Sequence, residues 1–221
     1  MKRLSYTFAL FLVASIIFTS HGNNSDSDSI NNYPPGIGNP TATTDPGVLV
    51  GEINRVPIRW ATRNVAAYGT FAEYPESAGM FFQWGCPQYW NSTDTQVEGW
   101  NSANIVATAW YPQYDPCPTG WRVPTQTELA ALRDAGARRA IRNGVSGRYF
   151  GTYPHHIFLP AAGSRNYSNS LLFGVDTFGN YWSNTSRGNR RAVGLWFSSS
   201  RSRSNFAWGR ANGFSIRCVA K

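Results

Sequence analysis

Residues 115–128 read DPCPTGWRVPTQTE, and they combine a cysteine, three prolines and the best helix start in the chain. Thr125 can cap the free backbone N–H groups of a helix, and the side chain of Glu128, three residues later, can accept a hydrogen bond from the Thr125 amide. Leu129 and Leu132 follow at helical spacing. The spacing therefore predicts a short helix that begins after Thr125 and frays near Gly136.

Short strands are expected on both sides of this helix. Residues 48–60 alternate apolar and polar side chains with a break at Asn54, which predicts two strands joined by a turn. Further strands, separated by Gly, Asn and Ser turns, are predicted at 157–160, 178–183, 192–198 and 214–219. In the last strand, alternation predicts a buried face and an exposed face, the latter formed by Ser215 and Arg217. Residues 137–142 suggest a second short helix.

The composition favours a folded domain rich in loops and aromatic side chains. The chain has 221 residues, of which 42% are hydrophobic, 15% aromatic and 14% charged, with 21 glycines and 13 prolines. A disordered polyelectrolyte or a long coiled coil needs a higher density of charge, so both are excluded. The length is sufficient for one domain with a substantial core.

The first 22 residues have the pattern of a secretory signal peptide. Lys2 and Arg3 precede an uncharged apolar run over 4–18, and small residues follow at the expected cleavage site after Gly22. The apolar run is too short to cross a hydrocarbon core about 30 Å thick, which disfavours a transmembrane anchor. We therefore expect export to the periplasm, the cell surface or the extracellular space.

Two further features describe the exported chain. Residues 23–47 are rich in Asn, Ser, Asp, Pro, Gly and Thr, which predicts a flexible linker ahead of a domain over 48–221. No cysteine precedes Cys86, so a lipid-anchored N-terminal cysteine is not expected.

Several segments, in order along the chain, resemble the Fibrobacter succinogenes major paralogous domain family. They are NRVPIRWATRNV (54–65), GMFFQWG (79–85), DPCPTGWRVPT (115–125), FLPAAG (158–163), YWS (181–183) and GFSIRCV (213–219). The resemblance implies an exported protein of the Bacteroidetes type with a C-type-lectin-like fold, shared with formylglycine-generating enzymes. That fold is an irregular α+β domain with short antiparallel strands, one or two short helices and long loops. Its first and last strands pair.

The resemblance also implies a disulfide between Cys117 and Cys218. Such a bond fits an exported chain with few cysteines. Cys86 departs from the family pattern, and three interpretations stay open for it: a buried free thiol, a bond between chains, or a nucleophile. No His or Asp lies beside Cys86 in the sequence to activate it.

Motifs for catalysis or metal binding are missing from the sequence. His155 and His156 are adjacent, and on a strand they would point to opposite faces, so they do not readily bind one metal together. No acidic residue follows Asp176, which disfavours a calcium-dependent sugar site in the terminal region. No pair of carboxylates stands out as the pair that a glycosidase requires. We expect neither a cofactor nor a metal.

The positive charge is concentrated near the C-terminus. The formal net charge is +8, and residues 177–221 hold seven arginines and Lys221 but no acid. Arginine forks bind carboxylates, sulfates and phosphates, and tryptophan faces stack on sugar rings. The predicted binding residues are Arg187, Arg190, Arg191, Arg201, Arg203, Trp208 and Arg210. Trp208 is equally compatible with core and surface, whereas Trp60, Trp84, Trp121, Trp182 and Trp196 are predicted to be core.

These features lead to two hypotheses of function. The first is an exported, non-catalytic, lectin-like and adhesin-like module that binds a glycan, an anionic surface polymer or a protein partner. The alternative is an exported enzyme related to formylglycine-generating oxidases, which would need a free pair of thiols. A dedicated nucleic-acid partner is not expected, because any basic patch attracts polyanions and the chain carries an export signal.

Overall fold

A computed structural model describes residues 43–103 and 109–221. The predicted signal peptide over 1–22 and the predicted linker up to residue 42 lie outside the described residues. Asp45, which was assigned to the linker, already contacts the folded unit: its carboxylate accepts hydrogen bonds from the backbone N–H of Thr62 at 2.9 Å and from the Thr62 hydroxyl at 2.8 Å. Within the described ranges, no helix is long and apolar enough to span a membrane.

The described part of the chain is mostly β, with 44% of its residues in strands and 7% in helices, so the predicted α+β class is wrong. The strands of the first half are β1 (Val48–Ile53), β2 (Val56–Trp60), β3 (Phe81–Gln83), β4 (Tyr89–Trp90), β5 (Trp121–Arg122), β6 (Ala137–Arg142) and β7 (Val145–Thr152). Those of the second half are β8 (His155–Pro160), β9 (Ser164–Arg165), β10 (Leu172–Phe173), β11 (Phe178–Arg187), β12 (Arg191–Ser198), β13 (Ser202–Gly209), β14 (Gly213–Phe214) and β15 (Val219–Ala220). One α-helix, α1 (Gln126–Asp134), and one turn of 3₁₀ helix, Pro112–Tyr114, complete the described elements.

The strands form four small antiparallel sheets. Their strand orders are β1-β2-β15-β5, β10-β9-β14-β3-β4, β11-β12-β13 and β6-β7-β8. The last strand, β15, pairs with β2 through Val219 and Trp60 and with β5 through Val219 and Arg122. The first strand, β1, lies in the same sheet but is separated from β15 by β2, so the first and last strands do not pair directly, unlike the expectation from the family resemblance. The core fills the space between the sheets and α1, with Trp60, Trp84 and Trp182 fully buried.

The predicted second helix over 137–142 is wrong, because these residues form strand β6. β6 pairs with β7 from Ala137 to Arg142, and the two strands are joined at Asn143 and Gly144. Both turn residues have positive φ, 47° and 83°, as a two-residue hairpin turn with the twist of the strands requires. Asn-Gly is the strongest short signal for such a turn, and it overrides the helix propensity of the alanines and arginines before it.

Helix α1 begins as predicted. The Thr125 hydroxyl accepts from the Glu128 backbone N–H at 3.2 Å, and the Glu128 carboxylate accepts from the Thr125 N–H at 2.7 Å. Arg122 donates to the same carboxylate at 2.9 Å. Burial by itself would raise the pKa of the Glu128 carboxyl, but the hydrogen bonds from Arg122 and Thr125 lower it below its usual value. The carboxylate therefore stays charged and joins the helix start to β5.

The C-terminal segment is buried on both faces, which contradicts the predicted exposed face of Ser215 and Arg217. The Arg217 guanidinium donates to the Thr62 carbonyl at 2.9 Å and to Asn64 Oδ1 at 3.0 Å. Burial lowers the pKa of Arg217 to about 10. Carbonyl and amide oxygens thus accept hydrogen bonds from a buried cation. The alternation of polar and apolar residues does not indicate that Arg217 is buried in this way.

The disulfide between Cys117 and Cys218 is present, with an S–S distance of 2.07 Å. Both cysteines lie in a buried cluster that also contains Trp84, Trp110 and Trp121. The bond links positions 101 residues apart. In the chain-entropy account, closing a loop of this length in the unfolded chain stabilises the native state by about 4–5 kcal/mol.

We predict that Thr125→Ala lowers the free energy of unfolding by about 1 kcal/mol, because it removes the N-cap hydrogen bond. Thr127→Ala is the matched control, since Thr127 is exposed on the same helical turn and should change stability by less than about 0.5 kcal/mol. Urea unfolding followed by circular dichroism measures both. Equal effects of the two substitutions would contradict the capping role.

We also predict one reactive thiol per chain when the protein is unfolded without reductant, and three after reduction. Cys86 supplies that thiol, because Cys117 and Cys218 are bonded to each other. Titration with a thiol reagent in denaturant gives the count directly. Three thiols before reduction would overturn the disulfide, and none would show that Cys86 is also bonded.

Candidate functional site

The sheet β11-β12-β13 has two faces of different character. The inner face, which includes Tyr181, Leu195 and Phe197, packs in the same buried cluster as Leu129 and Leu132 of helix α1. Burial raises the pKa of the Tyr181 hydroxyl to about 12, and this hydroxyl donates to the Pro160 carbonyl at 2.8 Å. The inner face therefore fixes the sheet to the core of the domain. The outer face is the one that can form a binding site.

A bulge in the pairing of β12 with β13 assembles the outer face. Trp196 lies opposite Arg203, whereas Gly194, two residues earlier, lies opposite Phe206, three residues later. The extra residue on β13 places an odd and an even position, Arg203 and Phe206, on the same side of the sheet. The Arg203 guanidinium carbon lies 5.7 Å from the centre of the Phe206 ring.

Gly194 is required where it stands. A Cβ atom on this residue would lie 2.5 Å from the Tyr181 carbonyl oxygen, which is closer than atoms can approach. The absence of a side chain lets β11 and β12 approach closely at this position.

The outer face forms one wall of a cavity of about 360 Å³, which we call the arginine pocket. Its lining residues come from β9, β10, the three strands of the sheet, β14 and the turns between them. They are Ser164, Phe173, Phe178, Asn180, Trp196, Arg201, Arg203, Phe206, Trp208, Asn212 and Phe214. Among these described residues none is acidic, and none is a histidine or a cysteine.

Aromatic rings form most of the wall of the arginine pocket. The ring centroids of Phe206 and Trp208 are 5.1 Å apart, and Trp208 meets Phe214 edge to face at 5.4 Å. On the opposite side, Phe173 and Phe178 meet edge to face at 5.6 Å. Phe173 and Phe206 are each 45% exposed, so apolar ring surface remains open to a ligand on both sides.

Two of the predicted arginines, Arg201 and Arg203, lie at the rim of the arginine pocket and are exposed. The turn that carries Arg201 is closed by a hydrogen bond from the Ser198 N–H to the Arg201 carbonyl at 2.9 Å. Neither arginine belongs to any of the four ion pairs among the described residues. Their positive charge is therefore directed at solvent beside an apolar wall.

Three further predicted arginines lie outside the arginine pocket, whereas the predicted Trp208 belongs to it. Arg187, Arg190 and Arg191 are exposed near the turn that joins β11 to β12, and Arg187 donates to the Asn205 carbonyl at 3.0 Å. Trp208 is half-buried and lines the pocket.

Arg210 is buried, unlike the other predicted binding arginines. It is only 2% exposed, and it donates to the carbonyls of Gly188 at 2.7 Å and Asn189 at 3.1 Å. Its guanidinium carbon also lies 4.4 Å from the centre of the Trp84 ring. The guanidinium of Arg210 is thus hydrogen-bonded within the protein, where it stabilises the turn between β11 and β12.

Sequence reasoning missed part of the pocket. Trp196 was predicted to be core, but it is half-buried and lines the cavity, so that prediction is wrong. Asn180 and Phe206 were not singled out. Alternation along the predicted strand at 178–183 could have found Asn180, because Phe178 and Asn180 share a face. No local signal indicated Phe206, which depends on the bulge.

The other candidate groups lack the features of a reactive site. Cys86 is a free, half-buried cysteine, and burial raises the pKa of its thiol, which is the opposite of what a nucleophile needs. In the described ranges, no three His, Cys, Asp or Glu side chains gather closely enough to hold a metal ion.

Comparison with known proteins adds no assignment. No family model matches the chain, and no curated protein and no solved structure matches it either. The resemblance to the major paralogous domain family therefore stays a prediction from the motifs quoted above.

We predict that Arg210→Ala lowers the free energy of unfolding by about 2 kcal/mol, because it removes the hydrogen bonds of a buried guanidinium to the turn between β11 and β12 together with its contact with Trp84. Arg201→Ala removes the same charge from an exposed position, so it should change stability by less than about 0.5 kcal/mol. Urea unfolding of the two variants beside the wild type measures the difference. A small effect of Arg210→Ala would contradict its structural role.

Proposed function

We propose that this chain is an exported, non-catalytic binding module that recognises an acidic glycan through the arginine pocket. The observation that carries the proposal is the position of Arg201 and Arg203 at the rim of a cavity walled by Phe206, Trp208 and other rings. Aromatic faces stack on the C–H faces of sugar rings, and arginine forks bind carboxylates and sulfates. An acidic sugar has both kinds of surface in one molecule.

The two other partners considered from the sequence fit this surface less well. A polyanion without sugar rings would be attracted by the arginines but would not use the aromatic walls. A protein partner normally covers a broader and flatter surface than a cavity of about 360 Å³. Small-molecule pockets of roughly 300–1,000 Å³ are typical, so the cavity lies at the small end of that range.

The charge distribution supports an anionic ligand. The exposed arginines of this sheet lie both at the arginine pocket and near the turn that joins β11 to β12, and no acid occurs after Asp176. Long-range attraction to this side of the molecule would raise the rate of encounter with an acidic polysaccharide. The pocket would then select polymers that carry sugar rings.

The alternative, an enzyme related to formylglycine-generating oxidases, has less support. Two of the three cysteines are bonded to each other, and the third, Cys86, has a thiol whose pKa is raised by burial. The described residues of the arginine pocket provide no carboxylate, histidine or thiol for general acid–base or nucleophilic catalysis. These observations favour binding without catalysis.

Export is part of the proposal. It is supported by the basic and apolar pattern of residues 1–22 and by the disulfide, which suits an oxidising compartment. An adhesin-like role at a cell surface, with a surface glycan as the partner, agrees with these features.

Binding to matched polymers tests the proposal. We predict that the purified domain binds polygalacturonate or dextran sulfate, and that Arg201→Ala/Arg203→Ala weakens this binding by about tenfold to a hundredfold, because charge-assisted hydrogen bonds are lost. Arg187→Ala/Arg190→Ala is the matched control, since it removes the same charge outside the pocket. The single substitution Phe206→Ala should also weaken binding. Tyr153→Ala, which removes an 81% exposed ring outside the pocket, should not.

Three outcomes would contradict the proposal. If both double-arginine variants lost the same amount of binding affinity, the interaction would be non-specific electrostatic attraction. Binding of polyphosphate as tight as binding of the acidic polysaccharides would show that the aromatic walls are not used. Absence of binding to either acidic polysaccharide would remove the acidic glycan as the ligand.

A further inference from the structure

Strand β6 is an edge of the sheet β6-β7-β8, and its outer side has no partner strand in the described part of the chain. The Gly151 N–H donates to the Gly136 carbonyl at 2.8 Å, which fixes the alternation of hydrogen-bonded and non-hydrogen-bonded pairs along β6 and β7. The even-numbered residues of β6 therefore exchange hydrogen bonds with β7. The N–H and carbonyl groups of Arg139 and Ile141 point away from β7, and no hydrogen bond within the described residues reaches them.

The edge of β6 is regular, unlike two other long edge strands, β1 and β13. β6 pairs with β7 at every position from Ala137 to Arg142 without a shift of register, and it contains no proline. The pairing of β1 and that of β13 each contain a bulge, and the Asn205 carbonyl on β13 accepts from Arg187. Bulges and prolines protect the edge of a sheet against further pairing. β6 has neither, so a further strand can continue its ladder.

The side chains of β6 leave this edge accessible. The Arg138 guanidinium carbon lies 4.5 Å from the centre of the Tyr149 ring on β7, so this side chain is turned back over the sheet and not across the edge. Arg142 donates through Nε to the Glu76 carboxylate at 2.9 Å. Ile141 is 66% exposed, so a large apolar side chain on the free edge is open to a partner.

The charge of β6 determines which partner strand fits. Three of its six residues are arginines, and Arg138 and Arg139 belong to none of the four ion pairs among the described residues. Like charges that lie opposite each other on paired strands are destabilising, which disfavours pairing of β6 with β6 of a second copy. The formal net charge of +8 opposes self-association as well. An acidic strand would instead place carboxylates beside unpaired arginines.

We infer that the free edge of β6 binds an extended acidic segment of a partner protein as an additional β-strand. The backbone groups of Arg139 and Ile141 exchange hydrogen bonds with the segment, its carboxylates pair with Arg138 and Arg139, and an apolar side chain of the segment covers Ile141. None of the residues that line the arginine pocket lies on β6, so this inference is independent of the proposed glycan binding.

Amide hydrogen exchange, followed by NMR on the wild-type protein, tests the edge directly. We expect the amides of Arg139 and Ile141 to exchange much faster than that of Ala140, because only Ala140 donates to β7. The probe is a short capped peptide in which glutamate and valine alternate, and its binding should protect the amides of Arg139 and Ile141. A second peptide with the same side chains, N-methylated throughout, cannot donate backbone hydrogen bonds and should not protect them.

A peptide with lysine in place of glutamate tests the preference for acidic segments. At low salt we expect the acidic peptide to bind about tenfold more tightly than the basic one, because two exposed ion pairs replace two repulsive contacts. Arg138→Glu/Arg139→Glu should reverse this preference. Arg187→Glu/Arg190→Glu is the matched control, since it makes the same charge change away from β6 and should keep the preference. Urea unfolding verifies that both variants are folded, and the comparison of the two peptides on the wild type needs no variant.

Three outcomes would overturn the inference. Equal protection by the N-methylated peptide would show that the segment does not bind as a strand. Equal binding of the acidic and basic peptides to the wild type would remove the charge preference. Protection of Arg139 and Ile141 that rises with protein concentration in the absence of peptide would make a second copy of this chain the partner.

Discussion

The C-terminal segment, residues 213–220, is the constraint on which the other parts of the structure depend. It adds β14 to the five-stranded sheet and β15 to the four-stranded sheet, and Ser215 forms a bridge to Tyr181 of the sheet that carries the arginine pocket. The disulfide at Cys218 and the hydrogen bonds of Arg217 hold this segment against distant parts of the chain. Since one short segment belongs to two sheets and is bridged to a third, these sheets cannot shift relative to one another without breaking its hydrogen bonds.

Arginine has two separate roles in this molecule, and burial decides between them. Arg165, Arg210 and Arg217 are fully or almost fully buried, and each donates to backbone carbonyl groups. Burial lowers the pKa of all three side chains. Arg201 and Arg203 are exposed and have no carboxylate partner among the described residues. The formal net charge therefore overstates the basic surface, which is smaller and more localised than the composition indicates.

Local signals were sufficient for some elements and misleading for others. The capping box at Thr125 and Glu128 predicted the start of α1, because both hydrogen bonds join residues three positions apart. The prediction of a helix over 137–142 failed, because the Asn143-Gly144 turn and the pairing of β6 with β7 outweigh helix propensity. For the candidate site, composition indicated the exposed arginines of the last 45 residues, but it treated Arg210 as one of them.

The sequence by itself determined the features that arise between near neighbours: the helix cap, the first hairpin, the strands β8, β11 and β12, and the concentration of arginines after Asp176. Only the tertiary structure decided which arginines are buried, where Trp196 lies, and that the fold is mostly β. It also decided that a bulge places Arg203 beside Phe206 in the wall of the arginine pocket. The physical reason is that burial and strand register depend on contacts between residues far apart in the chain. The local pattern of polar and apolar residues contains no information about such contacts.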